Sequence, residues 1–213
     1  GHSCGCHENY LVDRQIPFQR VIDGLLPYLV SRQIFTGAGK VGVEADRTAD
    51  PAVYQLAQRS DFFECIASVD TMTRRPLVNT RDEPHAQASR YRRLHIILGD
   101  SNMSEYVTAL KVGTALLVLE LMEKQLVPPL VLADPVGALK QVSRDQRRQW
   151  AVELAGRRHT DALVIQQAYL DRARAEAAGR DKETDWVLAE WDRVLAALAG
   201  DASELVGKCD WVT

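Results

Sequence analysis

Two pairs of side chains that can bind metal ions or phosphate occur at alternate positions of strand-like segments. His7 and Asn9 alternate near the start of the chain, and Arg93 and His95 alternate on either side of Leu94. Alternate residues of a β-strand point to the same face of a sheet, so each pair is predicted to present its side chains together. Neutral imidazole and amide oxygen can bind a divalent metal, and a guanidinium can hold phosphate oxygens.

Each pair also has a simpler structural explanation. A single histidine in a strand, such as His7, can be buried with its ring bonded to a backbone carbonyl. An arginine on a surface, such as Arg93, can form a salt bridge and nothing more. The residues of the two pairs, taken by themselves, leave both explanations open.

A third group of ionisable side chains surrounds a proline. Arg81, Asp82, Glu83 and His85 lie on either side of Pro84, where a predicted strand runs into a loop. The group could be a charge network that fixes the loop. It could also line a pocket in which Arg81 recognises a carboxylate or a phosphate. The sequence does not separate these two hypotheses.

The elements that would position these residues can be predicted from hydrophobic periodicity and turn residues. In the first part of the chain they are an opening strand at 5–11, a helix from Pro17 with a kink at Pro27, a hairpin with strands 41–43 and 53–56 joined by an acidic loop at 44–52, a strand at 77–80, a short buried strand at 95–98 that ends at 99–102, and a long helix from Ser104. The long helix has a predicted core face of six residues: Val107, Leu110, Thr114, Leu117, Val118 and Leu121.

From Pro128 onward the pattern becomes mainly helical. Short helices are predicted around 135–142, a hairpin near 150–158, and helices near 161–178 and 184–198. Thr160 and Asp161 offer an N-cap for the first of the two long helices. The predicted core face of the second consists of Trp186, Trp191, Val194, Leu195 and Leu198. The sequence therefore predicts an α+β fold with two regions, 1–127 and 128–213, of which the second is smaller.

Composition restricts the class of protein. The 213 residues are 46% apolar and 26% charged, which is ordinary for a globular chain, and no apolar run reaches the length of a membrane span. The net charge of −3 does not favour nucleic-acid binding. Cys4 and Cys6 are separated by one residue, a spacing typical of neither a redox motif nor a zinc site. We expect reduced thiols in a cytoplasmic protein that binds neither nucleic acid nor membrane.

Read together, these segments resemble the family of Pup ligases and depupylases, whose core is similar to glutamine synthetase. The resemblance extends over nearly the whole chain. Its matching segments are 5–11 (GCHENYL), 79–86 (NTRDEPHA), 91–95 (YRRLH), 99–105 (GDSNMSE) with 110–113 (LKVG), and the closing 210–212 (DWV).

The resemblance implies a curved antiparallel sheet flanked by helices, with ATP and Mg²⁺ on its concave face. His7 and His95 would be Mg²⁺ ligands, while Asn9 and Arg93 would contact the nucleotide. Arg81 would lie at the far end of the site, near the transferred phosphoryl group or the glutamyl carboxylate. The region 1–127 would then be the C-terminal part of the ATP- and Mg²⁺-binding core.

The family has two enzymatic branches. The ligase joins the C-terminal glutamate of the small protein Pup to a target lysine through a glutamyl phosphate made from ATP. The depupylase hydrolyses that bond in pupylated proteins and deamidates the C-terminal glutamine of Pup, without consuming the nucleotide at each turn. Segments 15–18, 40–43 and 58–64 resemble the depupylase branch. The alternatives are a ligase, or a non-catalytic or divergent member that binds another peptide.

The chain departs from the family pattern at its beginning. The family's N-terminal portion, with its Mg²⁺-binding glutamates and catalytic aspartate, has no counterpart here, so no catalytic residue is assigned within the chain. Two imidazoles bind Mg²⁺ weakly without carboxylates, and the opening strand would leave a sheet edge unpaired. We therefore expect an N-terminal fragment or second subunit to complete the site, or the sequence to be part of a longer chain. Alone, the chain is expected to be inactive.

Overall fold

The structure is a computed structural model that describes residues 4–43, 53–69 and 74–213. The predicted acidic loop at 44–52 lies outside the described residues. The elements are β1 (Gly5–Asp13), α1 (Phe18–Ser31), α2 (Gln33–Thr36), β2 (Lys40–Val41), β3 (Tyr54–Gln55), β4 (Cys65–Ser68), β5 (Pro76–Asn79), β6 (Tyr91–Asp100), α3 (Glu105–Glu123), α4 (Pro135–Arg144), β7 (Ala151–Leu154), β8 (Arg158–Asp161), α5 (Ala162–Ala177) and α6 (Lys182–Ala199). None of the helices in these ranges is both long and apolar enough to cross a bilayer.

A four-stranded sheet in the order β1-β6-β5-β4 organises the first half of the chain. The β1–β6 and β5–β6 pairs are antiparallel, and the α+β class is confirmed. One pair departs from the predicted antiparallel arrangement, because β4 runs parallel to β5. Strand β4 was not predicted at all. Its four residues are too few to show a clear alternation of apolar and polar side chains.

The strand predicted at 95–98 is longer than its apolar run, because β6 extends from Tyr91 to Asp100. The prediction that Gly99 and Asp100 end the strand is wrong. Gly99 pairs with Cys6 of β1, and a Cβ on Gly99 would come within 3.0 Å of the Cys6 carbonyl oxygen. The glycine therefore permits a close approach of two strands, where the sequence suggested a turn.

Helices α1 and α3 form the centre of the hydrophobic core. All six residues of the predicted α3 core face are buried, which confirms that face. Ser104 is the α3 N-cap, and its hydroxyl accepts a hydrogen bond from the Val107 backbone N at 3.3 Å. Trp186 was wrongly placed in the α6 core face, since it is 40% exposed and its ring lies edge-on to the ring of Tyr106. It precedes the buried Val187 by one position.

The helices α4, α5 and α6 pack against α1 and α3, and buried residues from both halves of the chain form one hydrophobic cluster. The antiparallel β7–β8 pair confirms the predicted second hairpin. Asp161 caps α5 by accepting a hydrogen bond from the Val164 backbone N at 2.9 Å. All four cysteines are free thiols. The division of the chain between residues 127 and 128 stays a prediction.

The C-terminal end is tied to the start of α3 through Asp210. Its carboxylate accepts hydrogen bonds from the Met103 backbone N at 2.9 Å, the Ser104 backbone N at 2.9 Å and the Asn102 side-chain amide at 2.8 Å. We predict that Asp210→Ala lowers the free energy of unfolding by about 2–3 kcal/mol, because three donors lose a charged acceptor. Urea unfolding measures the difference.

The matched control for this prediction is Asp201→Ala. Asp201 caps a single short turn, where its carboxylate accepts from the Ser203 backbone N at 2.9 Å. Loss of such a cap on an exposed turn should cost clearly less than loss of Asp210. Equal losses in the two variants would contradict the role assigned to Asp210.

Candidate functional site

The antiparallel register of β1 and β6 brings the two predicted pairs onto one side of the sheet. Asn9 stands opposite His95, and Leu11 stands opposite Arg93. His7, Asn9, Arg93 and His95 are therefore neighbours on a single side, which is the histidine face. The intervening Leu94 is fully buried on the other side.

An irregularity in the β1–β6 ladder places His7 against His95. Cys6 pairs with Gly99 and Glu8 pairs with Ile96, so His7 alone stands opposite two residues of β6. Such bulges re-aim the side chains beside them. His7 Nδ1 lies 3.2 Å from His95 Nε2, and the two ring centroids are 5.1 Å apart.

Arg93 extends this row of polar groups along the histidine face. Its Nε donates a hydrogen bond to Asn9 Oδ1 at 2.7 Å, and its Nη2 lies 3.4 Å from His95 Nδ1. The Arg93 backbone N donates to Asp82 Oδ1 at 3.2 Å, and the second Asp82 oxygen pairs with Arg14 at 2.7 Å. The 81–85 segment thus reaches the site through Asp82.

On the opposite side of β1, a buried ion pair fixes the strand. Glu8 accepts hydrogen bonds from both terminal nitrogens of Arg32 and one, at 2.8 Å, from the Tyr10 hydroxyl. Both charged side chains are almost fully buried, and the Arg32 guanidinium lies over the Tyr28 ring. Burial acts to raise the pKa of Glu8, but the charge and hydrogen bonds of Arg32 bring that pKa below its usual value. The pair holds Glu8 inward, so its neighbours His7 and Asn9 face outward.

The two histidines of the site are held in the neutral form. Burial, and then the charge of Arg93 and the neighbouring His7, lower the pKa of His95 to about 4. Burial, Arg59 and Arg93 lower the pKa of His7. Both imidazoles therefore carry an available lone pair at neutral pH.

Arg81 lies apart from this row, in the exposed part of its loop. Its Nε pairs with Glu83 at 2.9 Å, and its side chain is 63% exposed. Its backbone N donates to Asn79 Oδ1 at 2.8 Å, and Asn79 stands opposite His95 in the sheet. The Arg81–Glu83 pair fits the charge-network hypothesis for the loop. The contacts of Asp82 with Arg14 and Arg93 fit it as well. The predicted phosphoryl or carboxylate contact of Arg81 stays a prediction.

Sequence reasoning missed one arginine of the site. Arg59 donates from Nη1 to the Ile97 carbonyl at 2.6 Å, which places its guanidinium beside the bulge that faces His7. Arg59 precedes a short 3-10 helix, Ser60–Phe62, and belongs to no periodic pattern. The segment 58–64 was interpreted only as a resemblance to the depupylase branch. Nothing local in the sequence indicated that Arg59 would reach β1.

The described residues fit an oxyanion better than they fit a metal ion. Guanidinium and amide groups surround two neutral imidazoles, which suits phosphate oxygens. Ligands in adjacent positions of an octahedral Mg²⁺ site lie about 3 Å apart, so the His7–His95 separation is compatible with shared ligation. However, no group of three or more His, Cys, Asp or Glu within the described ranges is arranged to hold a metal. These residues alone do not form a Mg²⁺ site.

Comparison with known proteins gives a consistent result. The family model described as "Pup-ligase protein" matches residues 1–213. A depupylase of Acidothermus cellulolyticus is 44% identical over 218 residues, with 100% of this chain and 43% of the relative covered. A Pup–protein ligase of Actinosynnema mirum is 47% identical over 216 residues, with 99% and 47% covered.

Solved structures show the same similarity. The Pup ligase PafA in complex with ADP matches with a TM-score of 0.85 and 39% identity, over 100% of this chain and 48% of PafA. A complex between Pup and its ligase PafA matches with the same TM-score and identity, over 44% of that chain. The chain thus spans a little under half the length of the proteins it matches.

Proposed function

Because the chain belongs to the Pup-ligase protein family, we propose that its histidine face is part of the nucleotide site of a Pup-modifying enzyme. The observation that carries the proposal is the cluster on this face, where His7 and His95 lie 3.2 Å apart and Arg93 contacts both Asn9 and His95. Side chains of this kind bind phosphate oxygens. The ADP complex of the similar Pup ligase PafA supports a nucleotide as the ligand.

Each residue of the cluster has a role in this proposal. Arg93 and Asn9 hold the nucleotide phosphates, and the hydrogen bond between them fixes the guanidinium in place. His7 and His95 would ligate Mg²⁺ only together with oxygens of the nucleotide and of the part of the family fold that this chain does not match. Bound Mg²⁺ would neutralise phosphate charge. Arg81 lies at the edge of the site and contacts the transferred group or the glutamyl carboxylate.

The activity that we propose is ATP- and Mg²⁺-dependent hydrolysis by a depupylase and deamidase. Its substrates are the bond between Pup and a target lysine, and the C-terminal glutamine of Pup. The catalytic aspartate belongs to the part of the family fold that this chain does not match. The Acidothermus depupylase and segments 15–18, 40–43 and 58–64 support this branch.

Ligation is the second candidate function. The similar Actinosynnema protein is a Pup–protein ligase with 47% identity, slightly more than the depupylase relative. In a ligase the same cluster would hold ATP while its terminal phosphoryl group activates the Pup glutamate. Identity to the relatives does not separate the two branches, so ATP consumption is the discriminating property.

The part of the family fold that this chain does not match completes the site in either case. Within the described part of the chain, β1 pairs on one side only, with β6. A Mg²⁺ site needs further oxygen ligands, which carboxylates would supply. We propose that the rest of the family fold, whether on the same chain or on another, adds to this region.

Reconstitution tests the proposed function. The chain is mixed with the portion of the Acidothermus depupylase that it does not match, Mg-ATP, and Pup ending in glutamine. Intact-mass spectrometry should record conversion of the glutamine to glutamate with little ADP released, and the chain alone should give no conversion. Pup ending in glutamate, with ADP formation and attachment to a lysine, would identify a ligase. A completed, folded assembly that binds ADP but changes neither form of Pup would contradict both functions.

A further inference from the structure

Arg59 lies on the histidine face, next to His7. Gly5, His7 and Asn9 alternate along β1, so all three are directed to the same side. A Cβ built on Gly5 would overlap the guanidinium of Arg59, which shows that the guanidinium lies directly over this glycine. The order along the face is therefore Arg59, His7, His95 and Arg93, with one guanidinium at each end of the histidine pair.

The Arg59 side chain is held in a fixed position. Nη1 donates to the Ile97 carbonyl at 2.6 Å and lies 3.5 Å from the Gly99 carbonyl, and the guanidinium stacks over the Phe63 ring at 5.6 Å. A guanidinium has five N–H donors, and both of these carbonyls are reached from Nη1. The Nε and Nη2 groups contact neither carbonyl.

Within the part of the chain that the structure describes, the charge of Arg59 has no contacting carboxylate. Across the described ranges, no Asp or Glu oxygen lies within ion-pair distance of this guanidinium, although Asp100 influences it from further away. Burial and the charge of Arg75 lower the pKa of Arg59. Arg59 and Arg93 place two guanidinium groups on this face, and these favour a bound anion.

We propose that Arg59 forms a second oxyanion-binding position on the histidine face, beside His7 and separate from the position at Arg93. The ligand is a phosphate or carboxylate oxyanion, bound by the Nε and Nη2 groups. This inference rests on the proposed function and adds a residue to its site. A nucleotide phosphate and a substrate carboxylate are two sources of the same chemistry.

The competing explanation is purely structural. Arg59 could serve only to hold the carbonyls of the bulged strand, and its replacement would then change stability and leave ligand affinity unchanged. Arg59→Met removes the charge and keeps much of the side-chain length. Arg59→Lys keeps the charge without the fork of donors. Arg193→Met is the matched control, because Arg193 pairs with Glu190 on α6 at 2.6 Å.

Calorimetry on the full 213-residue chain, wild type and variants, measures affinity for two probes: ADP, and a peptide with a C-terminal glutamate. We expect Arg59→Met to weaken binding of at least one probe about tenfold, Arg59→Lys to restore part of the loss, and Arg193→Met to match the wild type. The probe that is affected identifies the source of the oxyanion. Unchanged affinity for both probes in a folded Arg59→Met protein would overturn the proposal.

A second measurement tests the proposal in the case that the Arg59→Met variant does not fold. The Arg59 Nε–H signal of the wild-type chain, assigned by its loss in Arg59→Lys, is followed by NMR during titration with each probe. A shift at saturation with either probe supports the proposal, and no shift with both overturns it. If the wild type binds neither probe even when it is completed by the unmatched portion of the Acidothermus depupylase, both this proposal and the proposed nucleotide site fail. If His95→Ala weakens ADP binding but the Arg59 Nε–H signal shifts with neither probe, only the role of Arg59 fails.

Discussion

Replacing Glu8 with alanine is expected to lower the free energy of unfolding by about 3–5 kcal/mol. The substitution leaves the guanidinium of Arg32 buried with its carboxylate partner removed, and it also takes an acceptor from the Tyr10 hydroxyl. Urea unfolding followed by circular dichroism measures the loss. The histidine face should be disturbed as well, since Glu8 sets the orientation of His7 and Asn9.

An exposed ion pair provides the control for this prediction. Glu83→Ala breaks the Arg81–Glu83 pair, in which both side chains are more than half exposed. Such pairs contribute about 0–1 kcal/mol. The double replacement of Glu8 and Arg32 should be less destabilising than the sum of the single ones, because the two residues act together. Additive losses, or a Glu8→Ala loss as small as that of Glu83→Ala, would contradict the account.

Acid should weaken the same interaction. The pKa of Glu8 is lower in the folded protein than its ordinary value. A carboxyl group with a depressed folded pKa stabilises the protein above its unfolded pKa, and this contribution is lost as the pH falls through the folded pKa. The stability of Glu8→Gln should therefore depend less on pH in the acidic range than that of the wild type.

Replacing His95 with alanine is expected to weaken ADP binding in the presence of Mg²⁺ about tenfold or more, equal to ~1.4 kcal/mol. The side chain is half-buried on the histidine face, where it contacts His7 and Arg93. The loss of unfolding free energy should stay within about 1 kcal/mol, since no core packing is removed. Calorimetric titration with ADP gives the affinity, and urea unfolding gives the stability.

His159→Ala is the matched control, since His159 is an exposed histidine on β8. It should change neither affinity nor stability. If His95 were only a structural histidine, His95→Ala would reduce stability strongly and bind ADP like the wild type. That result would remove the central residue of the proposed nucleotide site.

The alternation of His7 with Asn9, and of Arg93 with His95, was sufficient to predict which side chains share a face. It could not predict that the two strands pair, because alternation fixes a face and leaves the partner strand open. The resemblance to the family assigned these residues to one ATP and Mg²⁺ site but did not name the strands that pair. The close contact between the two histidines depends on the bulge opposite His7. No residue type in this segment predicts a bulge of this kind.

The features that were missed depend on contacts between distant residues. Arg59 lies 52 to 54 positions after His7 and Gly5 of β1. Its guanidinium nevertheless lies over Gly5 and donates to a carbonyl of β6. Strand β4 is short, and its place in the sheet depends on a parallel neighbour. Trp186 is apolar and close to the right helical phase, yet it pairs with Tyr106 at the surface.

The most direct test of the account is a map of ADP binding on the 213-residue chain by NMR of its backbone amides. The largest shifts are expected at residues 7–9 and 93–95, on the histidine face. A cleft of about 920 Å³ between α1, β4 and the start of α4, lined by Ile22, Ile66 and Lys140 among others, is the alternative location. Shifts confined to that cleft, with residues 7–9 and 93–95 unchanged at saturation, would contradict the assignment of the nucleotide site.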